Sequence, residues 1–177
     1  RMFYRAGGND SSIASAVSCD GLAWREEEGW RLAVGAGFER LEPYCALAAE
    51  QGWYLYYNGF DGQAWSIYRA HSLDGLSWLS QGECRGLSPI GTSAKDACVL
   101  SVGKEKQIFF SRKIAGGTAF FTGESSDGMH WRDVRRCCGY GIDGHDLGTS
   151  SRVIAENDGE WRMFYSEWAD ESFVGMR

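Results

Sequence analysis

A seven-residue pattern of the type Ser-x-Asp-Gly-x-x-Trp occurs three times, at 18–24, 72–78 and 125–131. Its Asp residues, Asp20, Asp74 and Asp127, are 54 and 53 residues apart, which indicates one structural unit repeated along the chain. At this spacing an Asp carboxylate accepts backbone amides just ahead of it, Gly supplies a positive φ, and Ser adds a second cap. The pattern therefore predicts a tight turn between two antiparallel strands, with the carboxylate used for structure and the Trp opening the next strand.

The six cysteines are the other reactive side chains, and most of them lie inside strand patterns. Cys45 and Cys98 occupy matching repeat positions, as do Cys84 and Cys137, so repetition explains them better than disulfide pairing does. There is no Cys-x-x-Cys or His cluster with zinc spacing, so no metal is predicted. A redox role for the adjacent Cys137 and Cys138 is disfavoured, and a reducing compartment is indicated.

Composition favours strands and excludes two classes of partner. The 177 residues include 8 Trp, 8 Tyr, 9 Phe and 24 Gly but only 2 Pro, as expected of an aromatic, turn-rich β-protein. The net charge is −6 and no basic cluster offsets it, which argues against nucleic acid. No apolar run approaches the length of a membrane span, and no secretory signal opens the chain.

The strands that these turns connect recur in the same order in each repeat. A short apolar strand is followed by an aromatic strand, a third strand that leads into the Asp-Gly turn, and a short fourth strand after the Trp. The first strands are expected at 44–48, 97–101 and 151–155, the second at 1–4, 53–57, 107–110 and 161–165, the third at 12–17, 66–71, 118–124 and 172–177, and fourth strands at, for example, 30–32 and 79–81.

Four antiparallel strands in about fifty residues make one blade of a β-propeller. The sequence therefore predicts an all-β chain with a partial blade at 1–37, full blades at 38–90 and 91–142, and a second partial blade at 143–177. The chain is then a fragment of a longer propeller, the preferred interpretation, or one of two copies that close a ring as a homodimer.

The strand order, the Trp-x-Met-x-Tyr pattern at 161–165 and the Asp-Gly turns together resemble the five-bladed propellers of arabinanase-, xylosidase- and invertase-type glycoside hydrolases. The resemblance covers almost the whole chain. A sialidase-type six-bladed propeller is less similar, because its turn motif has one extra residue between Asp and Gly. The turns lie on the outside of the blades, so the motif is specific for the fold and says little about activity.

In that family, catalytic carboxylates stand at the starts of innermost strands and point into a central funnel. The positions that match are Glu42, followed by Pro43, and Asp96, one residue out of step with Glu42. The resemblance thus implies Glu42 and Asp96 as catalytic residues. The competing interpretation is that backbone amides, Lys95 or Arg40 satisfy two structural carboxylates.

The resemblance implies further saccharide contacts. Arg152 follows three hydroxyl residues on the last innermost strand, where the family would place an acid, and His145 and Asp146 lie in the loop before that strand. Trp65 and Trp168 are placed in loops between second and third strands, where an aromatic ring could stack on a sugar or pack between blades. No cofactor is implied, although the resemblance allows a funnel calcium or chloride ion.

Two functions are consistent with the sequence. The first is a glycoside hydrolase-like propeller that acts on or recognises a carbohydrate ligand through Glu42 and Asp96. The second is a non-catalytic propeller that serves as a binding module and closes its ring by oligomerisation. The two-carboxylate mechanism needs both acids at one cleft, so their environments separate the two functions.

Overall fold

The computed structural model describes residues 1–8, 11–35, 37–140, 148–156, 160–169 and 172–176, with residues 167–169 and 172–176 described by backbone alone. Within these residues the fold is all-β, as the sequence predicts. The chain divides into two compact units, Arg1–Gly82 and Glu83–Arg177. The described part contains no helix with the length and apolarity needed to cross a bilayer.

The first unit contains two antiparallel sheets. Sheet 1 has the order β1 (Met2–Ala6), β2 (Ser12–Val17), β3 (Arg25–Glu26), and sheet 2 has the order β4 (Arg40–Ala48), β5 (Trp53–Phe60), β6 (Trp65–Ser72), β7 (Leu79–Glu83). An apolar core joins the two sheets through Ile13 of β2, Leu41 of β4 and Leu55 of β5. This core fixes β4, the strand that carries Glu42, against sheet 1.

The second unit repeats the same design. Sheet 3 has the order β8 (Ala94–Val102), β9 (Glu105–Ile114), β10 (Gly117–Ser125), β11 (Arg132–Arg136), and sheet 4 has the order β12 (Thr149–Ala155), β13 (Trp161–Ala169), β14 (Ser172–Met176). The buried Cys98 of β8 meets Val153 of β12, whose amide lies 3.3 Å from the Cys98 Sγ. Phe120 of β10 packs edge-on against Tyr165 of β13. Two four-stranded and two three-stranded sheets are thus described.

The fourth strand of the first repeat is displaced from its predicted position. We expected it at 30–32, but β3 is Arg25–Glu26, and Leu32 forms an isolated bridge with Ile13. The cause is local: the guanidinium of the buried Arg31 binds the carbonyls of Glu28 and Gly29, which folds the chain between the two contacts with β2.

The three Asp-Gly turns have the same geometry. One carboxylate oxygen of Asp20, Asp74 or Asp127 accepts two backbone amides at 2.8–2.9 Å, two and three residues ahead. The preceding Ser hydroxyl donates to the same oxygen at 2.9–3.0 Å and accepts the Gly amide at 2.8 Å. The three glycines have φ near 75°, a left-handed conformation that requires Gly. The predicted turn is confirmed.

All six cysteines lie in the described part of the chain, and none forms a disulfide. Cys84 and Cys98 are buried and Cys19 and Cys138 are exposed.

We expect Asp74→Ala to lower the melting temperature by about 2–6 °C, because a turn carboxylate that caps two amides behaves like a helix N-cap. Ser77→Ala is the matched control, since the turn uses the Ser77 amide and not its hydroxyl. Differential scanning calorimetry checks both variants. Equal melting temperatures for Asp74→Ala and Ser77→Ala would contradict this account of the turn.

The turns also predict a loss of stability in acid. The amides of Ser77 and Leu76 lower the pKa of Asp74 from 3.8 to about 2, and those of Leu22 and Ala23 lower the pKa of Asp20. A carboxyl whose pKa is lowered by folding stabilises the fold above its unfolded pKa, so this contribution is present above about pH 4. It is lost as the pH falls towards 2.

The measurement is the melting temperature between pH 6 and pH 2 for the protein and for a variant with Asp20→Asn, Asp74→Asn and Asp127→Asn. The variant should be less stable at pH 6 and should lose less stability in acid. Glu27, whose pKa is lowered to about 2 mainly by its bond to Arg1, is present in both proteins and cancels in the comparison. Parallel pH profiles would refute the prediction.

Candidate functional site

Asp96 occupies a buried, fully engaged position near the start of β8. Its side chain has no exposed surface, and its Oδ2 accepts the Thr149 hydroxyl at 2.7 Å and the Ser150 amide at 3.1 Å. The ammonium of Lys95 lies 3.8 Å from the same oxygen. The carboxylate of β8 therefore holds the first residues of β12, the corresponding strand of the neighbouring sheet.

The backbone around this contact is irregular at two matching points. Asp96 has φ 66° and Ser150 has φ 58°, left-handed values that are uncommon for residues other than glycine. Both residues interrupt the ladder to the next strand, between Lys95 and Cys98 and between Thr149 and Arg152. The two bulges are 54 residues apart, so they repeat with the fold, and each turns its strand out of register where the strand begins.

Glu42 lies in a different environment, in sheet 2. It belongs to β4, stands opposite the buried Asn58 of β5, and forms an ion pair with Arg5 of β1, with Glu42 Oε1 2.9 Å from Arg5 Nη1. The Glu42 side chain is 22% exposed and that of Arg5 is 49% exposed. Glu42 is thus a carboxylate that solvent reaches, held by a guanidinium from the neighbouring sheet.

The partners of the two acids can be compared with those that the structural interpretation names. The competing structural interpretation fits Asp96, which binds a backbone amide and lies near Lys95. For Glu42 the partner is Arg5 and not Arg40. Arg40 instead packs on aromatic rings at the same end of sheet 2.

Those rings belong to Phe60 and Trp65, at the end of the β5–β6 hairpin. The Arg40 Cζ lies 4.7 Å from the centre of the Phe60 ring and 5.8 Å from that of Trp65, and the two ring centres are 5.0 Å apart. We expected Trp65 in a loop, but it is the first residue of β6, paired with Phe60. The hairpin is tighter than predicted because Asp61 Oδ1 accepts the amides of Gln63 and Ala64.

The remaining predicted contacts lie in the second unit. Arg152 is exposed on β12, and its Nη1 donates to the Ser151 carbonyl at 3.0 Å. Trp168 is in β13 by its backbone, not in a loop, and its side chain is outside the described residues. His145 and Asp146 also lie outside the described residues.

Within the described residues, no group of three or more His, Cys, Asp or Glu side chains is arranged to hold a metal ion.

Sequence reasoning missed three contributors: Arg5 as the partner of Glu42, Arg40 as a ring-stacked guanidinium, and Thr149 as a donor to Asp96. One signal was present for Thr149. Aligning the repeats places Ser150 at the position of Asp96. Thr149, the residue before Ser150, therefore lies at the start of β12, next to the start of β8. No comparable signal marks Arg5, because its separation from Glu42, 37 residues, is not the length of the repeat.

No protein-family model and no curated protein matches the sequence. The structure is similar to β-1,2-mannobiose phosphorylase from Listeria innocua, with a TM-score of 0.73 at 16% identity, over 93% of this chain and 48% of that one. It is similar to sucrose-6-phosphate hydrolase from Lactobacillus gasseri, with a TM-score of 0.70 at 10% identity, over 93% and 38%. It is also similar to an endo-arabinase from Bacteroides thetaiotaomicron, with a TM-score of 0.70 at 14% identity, over 97% and 67%.

At these identities the likeness shows the fold, which is the β-propeller fold of glycoside hydrolases and related phosphorylases. The expectation drawn from the turn motif and strand order is confirmed at this level. The chain spans about half the length of the phosphorylase and less than half that of the sucrose-6-phosphate hydrolase.

We expect Asp96→Ala to lower the free energy of unfolding by about 3 kcal/mol, because it removes two bonds to a buried carboxylate and places Ala at a left-handed φ. Asp96→Asn should cost less, since Asn tolerates this φ and keeps an acceptor oxygen. Urea unfolding measures both. Asp133→Ala is the control for backbone strain, because Asp133 also has a left-handed φ of 52° but is exposed, with its Oδ2 3.8 Å from the Nε of the exposed Arg132. An equal cost at Asp133 and Asp96 would show that the bonds to Thr149 and Ser150 contribute nothing.

Proposed function

We propose that this chain is part of a glycoside hydrolase-like propeller that acts on a saccharide, with Glu42 and Asp96 as its acidic residues. The observation that carries the proposal is the left-handed, buried Asp96 at the start of an inner strand of a glycosidase-type fold. Backbone strain of this kind costs free energy and is concentrated at functional sites. Ser150, whose amide donates to Asp96, has the same left-handed conformation, so the strained backbone recurs at the contact itself.

The class of substrate is supported by what similar structures act on. The three neighbours are named for activity on β-1,2-mannobiose, on sucrose 6-phosphate and on arabinan, as the name endo-arabinase implies. All three names denote enzymes, so they do not favour the non-catalytic binding module. We therefore assign this chain a saccharide substrate. Association of two copies to close a ring stays a prediction.

The two carboxylates have environments that suit different roles. Glycoside cleavage uses one carboxyl group to protonate the leaving oxygen and one carboxylate as base or nucleophile. Glu42 is reached by solvent and is the residue proposed to meet the substrate. Asp96 is shielded and its Oδ2 is occupied by Thr149 and Ser150, so it acts after those bonds rearrange. Arg152, His145, Asp146 and Trp168 remain proposed saccharide contacts.

The test is turnover of a panel of glycosides, namely β-1,2-mannobiose, arabinan and sucrose 6-phosphate, each with and without inorganic phosphate. Glu42→Gln should lower the rate about 100-fold or more, because Gln can neither accept nor donate the transferred proton. Asp96→Asn should also lower it. Glu39→Gln is the matched control: an exposed acid three residues earlier that should leave the rate unchanged.

Release of reducing sugar or sugar phosphate is the readout, and circular dichroism confirms that each variant is folded. Full turnover in both Glu42→Gln and Asp96→Asn would refute the assignment of the acids. No turnover of any glycoside in the panel by the unaltered chain would count against the enzymatic function itself.

A further inference from the structure

Arg40 has an ordered guanidinium whose hydrogen-bond donors are unused among the described residues. Its contacts there are with the faces of Phe60 and Trp65. No ion pair or hydrogen bond to a described residue engages its five N–H groups. Arginine is seldom held in one place without an acceptor, because its long side chain loses rotamer freedom. The rings therefore hold a group whose donors the described residues leave available.

The two acidic residues nearest in sequence to this cluster form no ion pair with Arg40. Asp61 Oδ1 accepts two amides of its own hairpin, and Glu39 Oε1 rests over the backbone of Gly62, 2.7 Å from where a Cβ would stand. Among the described residues, the contacts of the Arg40 guanidinium are with aromatic rings and not with a carboxylate. Its charge is left to interact with a ligand.

The position of Arg40 connects it with the candidate site. Arg40 and Glu42 are two residues apart on β4, so their side chains leave the same face of sheet 2. Arg40 pairs with Phe60 and Glu42 with Asn58, both at the end of the sheet where β4 begins. A ligand that reaches Glu42 thus lies next to the guanidinium.

We propose that Arg40 binds an oxyanion, either a carboxylate or a phosphate group, next to Glu42, and that Phe60 and Trp65 position it. A planar guanidinium stacked on aromatic rings presents its donors edge-on, and two of them match two oxygens of a carboxylate or phosphate. Trp65, whose ring centre lies 5.8 Å from the Arg40 Cζ, is then a positioning residue.

This inference rests on the proposed function, which supplies the assumption that the substrate is a saccharide. It narrows the substrate to one that carries an anionic group, or to a reaction in which inorganic phosphate is the second substrate. Both sources present the same oxygens to Arg40. They differ in whether the anion is joined to the sugar.

The experiment is isothermal titration calorimetry of the 177-residue chain with three probes: inorganic phosphate, glucose 6-phosphate and glucuronic acid. We expect at least one probe to bind, and Arg40→Gln to weaken that binding about tenfold or more, as expected for loss of a charge-assisted hydrogen-bond pair. Arg40→Lys keeps the charge but loses the planar fork, so it should restore part of the affinity. Tightest binding of inorganic phosphate would identify a second substrate, and tighter binding of either sugar probe would identify a saccharide-borne anion.

Arg25→Gln is the matched control, an exposed arginine on β3 that should leave the affinity unchanged. Trp65→Leu alone should weaken binding by a smaller factor than Arg40→Gln does. In the double variant, Trp65→Leu should cause no further loss of affinity beyond that of Arg40→Gln, because Trp65 acts through Arg40. Absence of binding by all three probes, or equal affinity in the chain and in Arg40→Gln, would overturn the inference. Loss of turnover in Glu42→Gln with unchanged probe affinity in Arg40→Gln would overturn it while leaving the proposed function intact.

Discussion

Each repeat depends on a single carboxylate oxygen that accepts two backbone amides and one hydroxyl. This contact closes the turn between the third and fourth strands and fixes the backbone conformation that leads into the fourth strand. Because every donor lies within three residues of the Asp, the turn forms from local sequence alone and is independent of what the rest of the sheet contains. The repeat of 53 or 54 residues is the distance between successive turns of this kind.

The opposite end of the sheets is organised by long-range contacts. Asp96 reaches from β8 to the start of β12, and Arg5 reaches from β1 to Glu42 on β4. Each links neighbouring sheets of one unit through a charged group. The bulges at Asp96 and Ser150 interrupt the regular pairing near the starts of β8 and β12. A bulge changes the direction of the side chains around it, which an uninterrupted ladder would not do.

This difference explains what could be predicted from the sequence. Turns and strands followed from local pattern, so all three turns and the strand order of all four sheets were predicted. The bulges could not be predicted, because a register break depends on which residues of two strands meet. The pairing of Glu42 with Arg5, 37 residues apart, is likewise set by packing between sheets. The fourth strand of the first repeat differs from its predicted position for a local reason, because the buried Arg31 binds the carbonyls of Glu28 and Gly29.

The starts of the inner strands show how one backbone accommodates different chemistry. Glu42, Lys95 and Thr149 are 53 and 54 residues apart and each pairs with the second strand of its own sheet, yet one is acidic, one basic and one neutral. The turns at the other end keep the same residue types. The starts of the inner strands thus differ in charge between repeats while the turns do not, so laboratory evolution could vary these three positions and leave the turns unchanged.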